Sequence, residues 1–310
     1  IEQAITEWNT KTGMHGHMGN NFDGDPHRSY LNLRRLYQAS GVTDVGTYLT
    51  GMQSTSFFGL NITGVPALKT AIDTARAALT AAGKSYTFGS GSGGFVPRTF
   101  NDNINKLSDH ALGTAIDLSP STNPQLTNKK VVLVIDAVCG NVLPNGLRAA
   151  IDYDSQKSAS DTFKAQFNDT WVKTQKDDLA ARKLTLATTK TNMALEKKNE
   201  ADAVKSIKAL EIKLKKTPND ATLQSELTAA KQTRDTAKQQ KDTLRTIVKA
   251  AEKQDALVKA IDGHRTKLND LAANGFLDLD KDLVTQLRAA GLTRGGTWGG
   301  RKDYMHFELP

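Results

Sequence analysis

The chain has 310 residues, 38% of them hydrophobic and 24% charged, enough apolar material for one large core or two smaller ones. No run of about 18 consecutive apolar residues occurs, which excludes a membrane-spanning helix. The net charge of +8 is concentrated: residues 157–262 hold 19 Lys and 3 Arg against 15 Asp and Glu, and the rest of the chain is close to neutral. A basic surface favours nucleic acid, acidic lipid or an anionic wall polymer, but here it belongs to one segment, which lacks the interleaved aromatic residues of single-strand binders. The lone Cys139, in the apolar run VVLVIDAVC, excludes an internal disulfide and a thiolate metal site, and is expected to be a small buried hydrophobe.

The chain begins at Ile1 with IEQAITEWNTKTG, which has no signal-peptide layout, so a processed product or a piece of a longer protein is expected. Residues 1–60 form an N-terminal region of mixed character, with GMHGHMGNNFDGDPHRSY followed by a helix near residues 30–40. His15 and His17 have no third metal partner nearby. Residues 66–82 place apolar side chains at helical spacing behind Pro66, which is tolerated in a first turn, and Gly83 stops the helix. SYTFGSGSGGFVPRTF is strand-like around a Gly/Ser tip. It lacks the Lys-Ser/Thr ending of a phosphate loop and is expected to be a flexible hairpin or a cleft edge. The loop NDNINKLSDH leads into GTAIDLS, a strand by its alternation, and the apolar run over 129–139 suits a buried helix or a buried strand alike.

From about residue 160 the character changes. Gly is absent from 160 to 262 and the only Pro is Pro218, in KKTPNDATLQ. Both flanks of Pro218 predict helix, and Pro218-Asn219-Asp220 predicts the turn between them. The second arm keeps a 3/4 spacing through Leu223, Leu227, Ala230, Arg234, Ala237, Lys241, Leu244, Val248, Ala251, Asp255 and Val258, a helix-pairing seam interrupted by three charges. In the first arm the Thr-rich LATTKTN is expected to kink or fray. An antiparallel hairpin returns its ends to one place, so it can interrupt a globular domain, and an arm of about 40 residues would reach roughly 60 Å. Beyond it, LNDLAANGFLDLDKDLVTQLRAAGL predicts one or two short helices, and TRGGTWGGRKDYMHFELP a Gly-rich turn running into a terminal strand. Asp278, Asp280 and Asp282 resemble the start of a calcium loop, but Leu283 and Ala289 stand where that loop needs Gly and Glu.

Three segments carry chemistry: Arg98 in FVPRTF, SDHALGTAIDL, and WGGRKDYMHFE. Imidazole nitrogen and carboxylate oxygen suit zinc, and a catalytic site keeps three protein ligands. His110 and Asp117, seven apart around Gly113, can converge from a loop and the strand after it. Asp303 and His306, three apart, can serve one site in different roles. Spacing alone is a weak signal. SDHALGTAIDL, however, resembles the SxHxxGxAxD signature of VanY-type D-alanyl-D-alanine carboxypeptidases and the related endolysin-like L-alanyl-D-glutamate peptidases. WGGRKDYMHFE is similar to that family's second signature.

The resemblance implies zinc held by His110, Asp117 and His306, with Asp303 as general base. It implies Arg98 as the group that polarises the scissile carbonyl or holds a substrate carboxylate, the alternative being a structural ion pair. Ser108 would bond substrate or cap a turn, Trp298 would line the cleft or simply pack, and Glu308 would support the site from behind the ligands. The match covers 65–126 and 268–310, about a third of the chain, and leaves residues 1–60 uncovered. An Asp in place of the carboxypeptidases' Glu at position 303 points to the endolysin-like branch.

The expectation is an α+β fold, a small antiparallel sheet with surrounding helices of the zinc-peptidase type, interrupted by a long helical hairpin. The parts are 1–60, a first peptidase segment over 61–156, the hairpin over 157–262 and a second peptidase segment over 263–310. The expected function is zinc-dependent hydrolysis of peptidoglycan stem peptides in the periplasm or at the cell wall, at L-Ala–D-Glu in preference to a D,D bond. The alternative is a non-catalytic wall- or partner-binding module with a structural zinc and a docking hairpin.

Overall fold

The computed structural model describes residues 26–96, 99–100 and 103–310. Arg98, His15 and His17 lie outside the described residues. The chain divides into two units, one formed by the described residues up to Ala165 with Asn269–Pro310, the other by Gln166–Leu268. The fold is α+β, mostly helical, with small antiparallel sheets.

The first unit opens with helices α1 (Pro26–Ala39) and α2 (Val45–Thr50), the latter capped by Asp44, whose carboxylate accepts from Thr47 N. The hairpin β1 (Gln53–Phe57) and β2 (Leu60–Gly64) turns at Phe58-Gly59, both with positive φ (49° and 86°), the geometry of a tight two-residue hairpin. Helix α3 (Pro66–Ala81) buries Leu68, Ala71, Ile72, Ala75 and Leu79 on one face. Full burial of each larger one stabilises by about 1.5–3 kcal/mol. The strands that follow are short: β3 (Thr99–Phe100), β4 (Asn103–Leu107), β5 (Ala115–Asp117) and β6 (Gln125–Leu126). Residues 129–139 form helix α4 (Lys129–Cys139), capped by Asn128 and burying Val131, Val134, Ile135 and Val138 at helical spacing.

Helix α5 (Tyr153–Gln166) is separate from the long arm that follows, so residues 157–165 belong with the first unit rather than with the hairpin. Helix α8 (Arg265–Asn274) begins in the second unit and carries the chain back to the first, which goes on through α9 (Lys281–Ala289), β7 (Thr293–Arg294), β8 (Lys302–Asp303) and β9 (His306–Glu308). Two buried side chains tie this returning segment to the first half. Ser160 Oγ accepts from Phe276 N at 2.8 Å and Leu277 N at 3.1 Å, and Asn123 Oδ1 accepts from Asp278 N at 2.8 Å and Leu279 N at 3.1 Å. Asp280 caps α9 by accepting from Asp282 N and Leu283 N, a structural use of the acidic run.

The second unit consists chiefly of helices α6 (Asp169–Leu214) and α7 (Ala221–Gly263), 46 and 43 residues long. Asp220 caps α7 after the turn at Pro218. The predicted seam positions of α7 are the less exposed ones, with Ala237, Val248, Ala251 and Val258 buried. Two of the charges that interrupt the seam are matched across the hairpin, Lys241 by Glu200 and Asp255 by Lys183 at 3.2 Å. LATTKTN neither kinks nor frays. The helix runs unbroken through it, with Thr189 Oγ1 donating to Thr185 O at 2.9 Å and Thr191 Oγ1 to Ala187 O at 3.1 Å. No helix among the described residues is long and apolar enough to cross a membrane.

Candidate metal centre

His110 sits on a tight turn. Ser108 O accepts from Ala111 N at 2.9 Å and Leu112 N at 3.2 Å, Ser108 Oγ receives Ala111 N at 3.3 Å, and Gly113 closes the turn at φ 63°. The second glycine of this region is required by close approach: a Cβ on Gly64 would lie 2.5 Å from Gly113 O. Helices α1 and α2 buttress the turn, since Tyr37 Oη donates to Ala111 O at 2.5 Å and Tyr48 Oη to Leu112 O at 2.6 Å. Part of the region left unassigned by sequence, residues 1–60, therefore belongs to the scaffold of the site.

Register brings in the rest. Strand β9 lies between β5 and β7, and Asp117 pairs directly with His306. Strand β8 pairs with β6, setting Asp303 opposite Gln125. The ligand atoms of His110, Asp117 and His306 lie within 4.8 Å of one another, and all three groups are buried or half-buried.

Hydrogen bonds orient both rings. His110 Nδ1 lies 2.8 Å from Gly94 O, which can only accept, so a neutral His110 carries its proton on Nδ1 and turns the Nε2 lone pair inward. That Nε2 is buried, makes no hydrogen bond, and stands 3.2 Å from Asp117 Oδ2. A lone pair facing a carboxylate oxygen is repulsive unless a proton or a metal cation stands between them. His306 places Nδ1 3.1 Å from Asp117 Oδ1 and Nε2 3.0 Å from Glu308 Oε2. One neutral imidazole has a single N–H for these two acceptors, so the ring is either doubly protonated or meets a cation on the Asp117 side. Ligand atoms around a tetrahedral zinc sit roughly 3.3–3.5 Å apart. The set of two imidazoles and one carboxylate could hold a metal ion, with Gly94 O and Glu308 holding the rings from behind.

The electrostatics agree. Burial alone would raise Asp117, but the two imidazoles that face its oxygens hold it well below the usual carboxylate range. Burial disfavours charged His306, yet Asp117 and Glu308 lift it to about 9. Asp303, 5% exposed, is pushed up chiefly by burial and further by the Asp117 charge. Its Oδ2 accepts from Gln125 Nε2 at 2.7 Å, while Oδ1 is buried and unpaired. Asp109, which shares a hydrogen bond with Glu308, is raised by burial and by that neighbour's charge. Trp298 follows a 3-10 turn (Gly295–Thr297), its ring 5.3 Å from that of His306.

Of the sequence-derived candidates, the structure gathers His110, Asp117, Asp303, His306 and Trp298, with Ser108 supporting the turn. Sequence reasoning passed over the Gly94 carbonyl, Gln125, Asp109 and the two tyrosines. The Gly-rich run was the one signal for Gly94, whose Cβ would strike Thr63 O at 2.8 Å. Cys139 is buried, donates to Ala159 O at 3.2 Å and is pushed up to about 12 by burial, so it stays out of the chemistry. Comparisons with protein-family models, curated proteins and solved structures found no match.

Proposed function

We propose that the chain is a zinc-dependent peptidase of peptidoglycan stem peptides, acting at the L-Ala–D-Glu bond in preference to a D,D bond, in the periplasm or at the cell wall. One observation carries the reading: His110 Nε2 and His306 Nδ1 converge on the two oxygens of Asp117, beside an Asp303 whose Oδ1 is buried without a partner. A structural metal site would have no use for that carboxylate.

Zinc held by His110, Asp117 and His306 would supply Lewis acidity, to a water and to the scissile carbonyl. Asp303 takes the proton of the attacking water on Oδ1 and passes it to the leaving amine, its raised proton affinity suiting both halves of the task. Gln125 occupies Oδ2 and so fixes which oxygen works. Trp298 walls the cleft, and Arg98 is assigned on the resemblance alone to the charge that develops on the carbonyl oxygen. Lys and Arg on the hairpin hold the enzyme on an anionic wall polymer, a role supported by the confinement of the net charge to that segment.

The test is mass spectrometry of muropeptides digested by the zinc-loaded protein beside Asp303→Ala. Cleavage between L-Ala and D-Glu, abolished in the variant, is expected. Loss of a terminal D-Ala would move the assignment to the D,D branch. A folded, zinc-loaded protein that yields no product would overturn the peptidase reading.

A further inference from the structure

The four residues Trp298-Gly299-Gly300-Arg301 form the loop between the 3-10 turn and β8. Arg148 Nη1 donates to Gly300 O at 2.5 Å and anchors this loop from outside. The Arg301 guanidinium carbon lies 4.7 Å from the centroid of the Trp298 ring, which itself stands 5.3 Å from the ring of His306. Arg301 is half-buried, and no described carboxylate forms an ion pair with it. Its charge nonetheless reaches the site, contributing to a lower proton affinity at both Asp303 and Glu308.

A guanidinium stacked on an indole keeps its N–H edges free for a planar, two-oxygen acceptor. Stacking also orders the side chain in advance, which lowers the entropy lost when an acceptor binds. An unpaired, pre-ordered cation beside a metal centre is matched by an anionic group on the substrate.

We propose that Trp298 and Arg301 form a subsite for a free carboxylate carried by the residue whose nitrogen leaves, so that the enzyme selects peptides with an α-carboxylate next to the scissile bond. The proposal rests on the peptidase reading and narrows its substrate class. In an L-Ala–D-Glu bond linked through the γ-carboxyl, the α-carboxylate of D-Glu is bonded to the carbon that bears the scissile nitrogen. The terminal D-Ala carboxylate occupies the same place in a D,D bond. One subsite therefore serves either bond and rejects the α-amide of the same peptide, which offers no charge.

The experiment uses the full chain loaded with zinc and two synthetic stem peptides, one with D-Glu and one with its α-carboxamide. KM and kcat are measured for the native protein, Arg301→Met and Arg301→Lys, with circular dichroism confirming the fold of each. Binding of both peptides to the metal-free proteins is measured in parallel by calorimetry. A charge-assisted, two-pronged contact predicts a preference for the free carboxylate of about tenfold or more in kcat/KM, chiefly through KM. The preference should vanish in Arg301→Met and return in part in Arg301→Lys. Equal use of the two peptides by the native protein, or a preference that survives Arg301→Met, overturns the proposal. Should neither peptide be cut, the peptidase reading has failed and calorimetry decides separately. Tighter binding of the carboxylate form that depends on Arg301 supports the subsite, and equal binding of the two forms removes it.

Discussion

The Glu308 carboxylate meets the far nitrogen of His306 at 3.0 Å and shares a hydrogen bond with Asp109, while the other ring nitrogen faces Asp117. Loss of such an outer partner costs about 10–100-fold in metal affinity. Glu308→Gln should therefore weaken zinc binding by that factor without unfolding the protein, as measured by competition with a chromophoric chelator. An unchanged affinity would show that the ring is oriented by packing instead. The raised His306 value also links metal to pH. Its proton is held more tightly in the fold (about 9) than in the open chain (6.5), so the stability it contributes is complete below 6.5 and lost as pH rises through about 9. Thermal melts in chelator should fall across that window, and saturating zinc should flatten the fall. For Asp303 the working form is the carboxylate. Its raised proton affinity puts the acidic limb of kcat/KM above the ordinary value of 3.8, and Gln125→Leu, which removes a bond to the charged form, should move the limb higher still.

Elements decide what a residue pattern alone leaves open. The turn at His110 and the strand carrying Asp117 were legible because both lie within one short segment whose spacing survives in the sequence. Gly94 and Gln125 were not, since each meets its partner only through tertiary pairing, across 16 and 178 positions. The run over 129–139 was ambiguous because eleven apolar-rich residues satisfy both periods; Asn128, whose side chain accepts from Lys130 N and Val131 N, tips it to helix. A helix near residues 30–40 was legible, but α2 and the part both helices play at the site were the larger omission. A tyrosine in an amphipathic helix looks like core, and only the fold reveals that Tyr37 and Tyr48 end on the carbonyls beside His110. Tyr37→Phe leaves the Ala111 carbonyl without this donor and should cost about 1–3 kcal/mol. Because that carbonyl is in the His110 turn, zinc affinity should drop along with the melting temperature. A melting temperature that falls while zinc affinity holds would assign Tyr37 to the core alone. In the hairpin the seam was legible by its 3/4 spacing, and two of its three charged interruptions, Lys241 and Asp255, were misleading only until their partners on the facing arm were known, while Arg234 pairs with its neighbour Asp235.

At the scale of the molecule, charge and chemistry occupy different units. Gln166–Leu268 holds 22 Lys and Arg against 14 Asp and Glu, the whole of the net excess, while His110, Asp117 and His306 of the candidate metal centre lie in the other unit. The chain leaves and re-enters the first unit at neighbouring points: a Cβ on Gly275 would lie 2.8 Å from Ser160 Oγ and 3.1 Å from Lys164 Cδ. Replacing residues 166–268 with a short Gly/Ser linker should thus leave the first unit folded, with zinc affinity and cleavage of soluble stem peptides retained. What should disappear is association with purified cell walls. In co-sedimentation the full chain is expected to bind at low salt and release as ionic strength rises, because a spread of exposed Lys and Arg acts over a screening length of about 10 Å at 0.1 M. Loss of zinc binding in the shortened protein would mean that the hairpin is part of the folding unit rather than an insertion in it. Equal wall binding by both proteins would place docking on the neutral unit, and the charge of the hairpin would then need a different anionic partner.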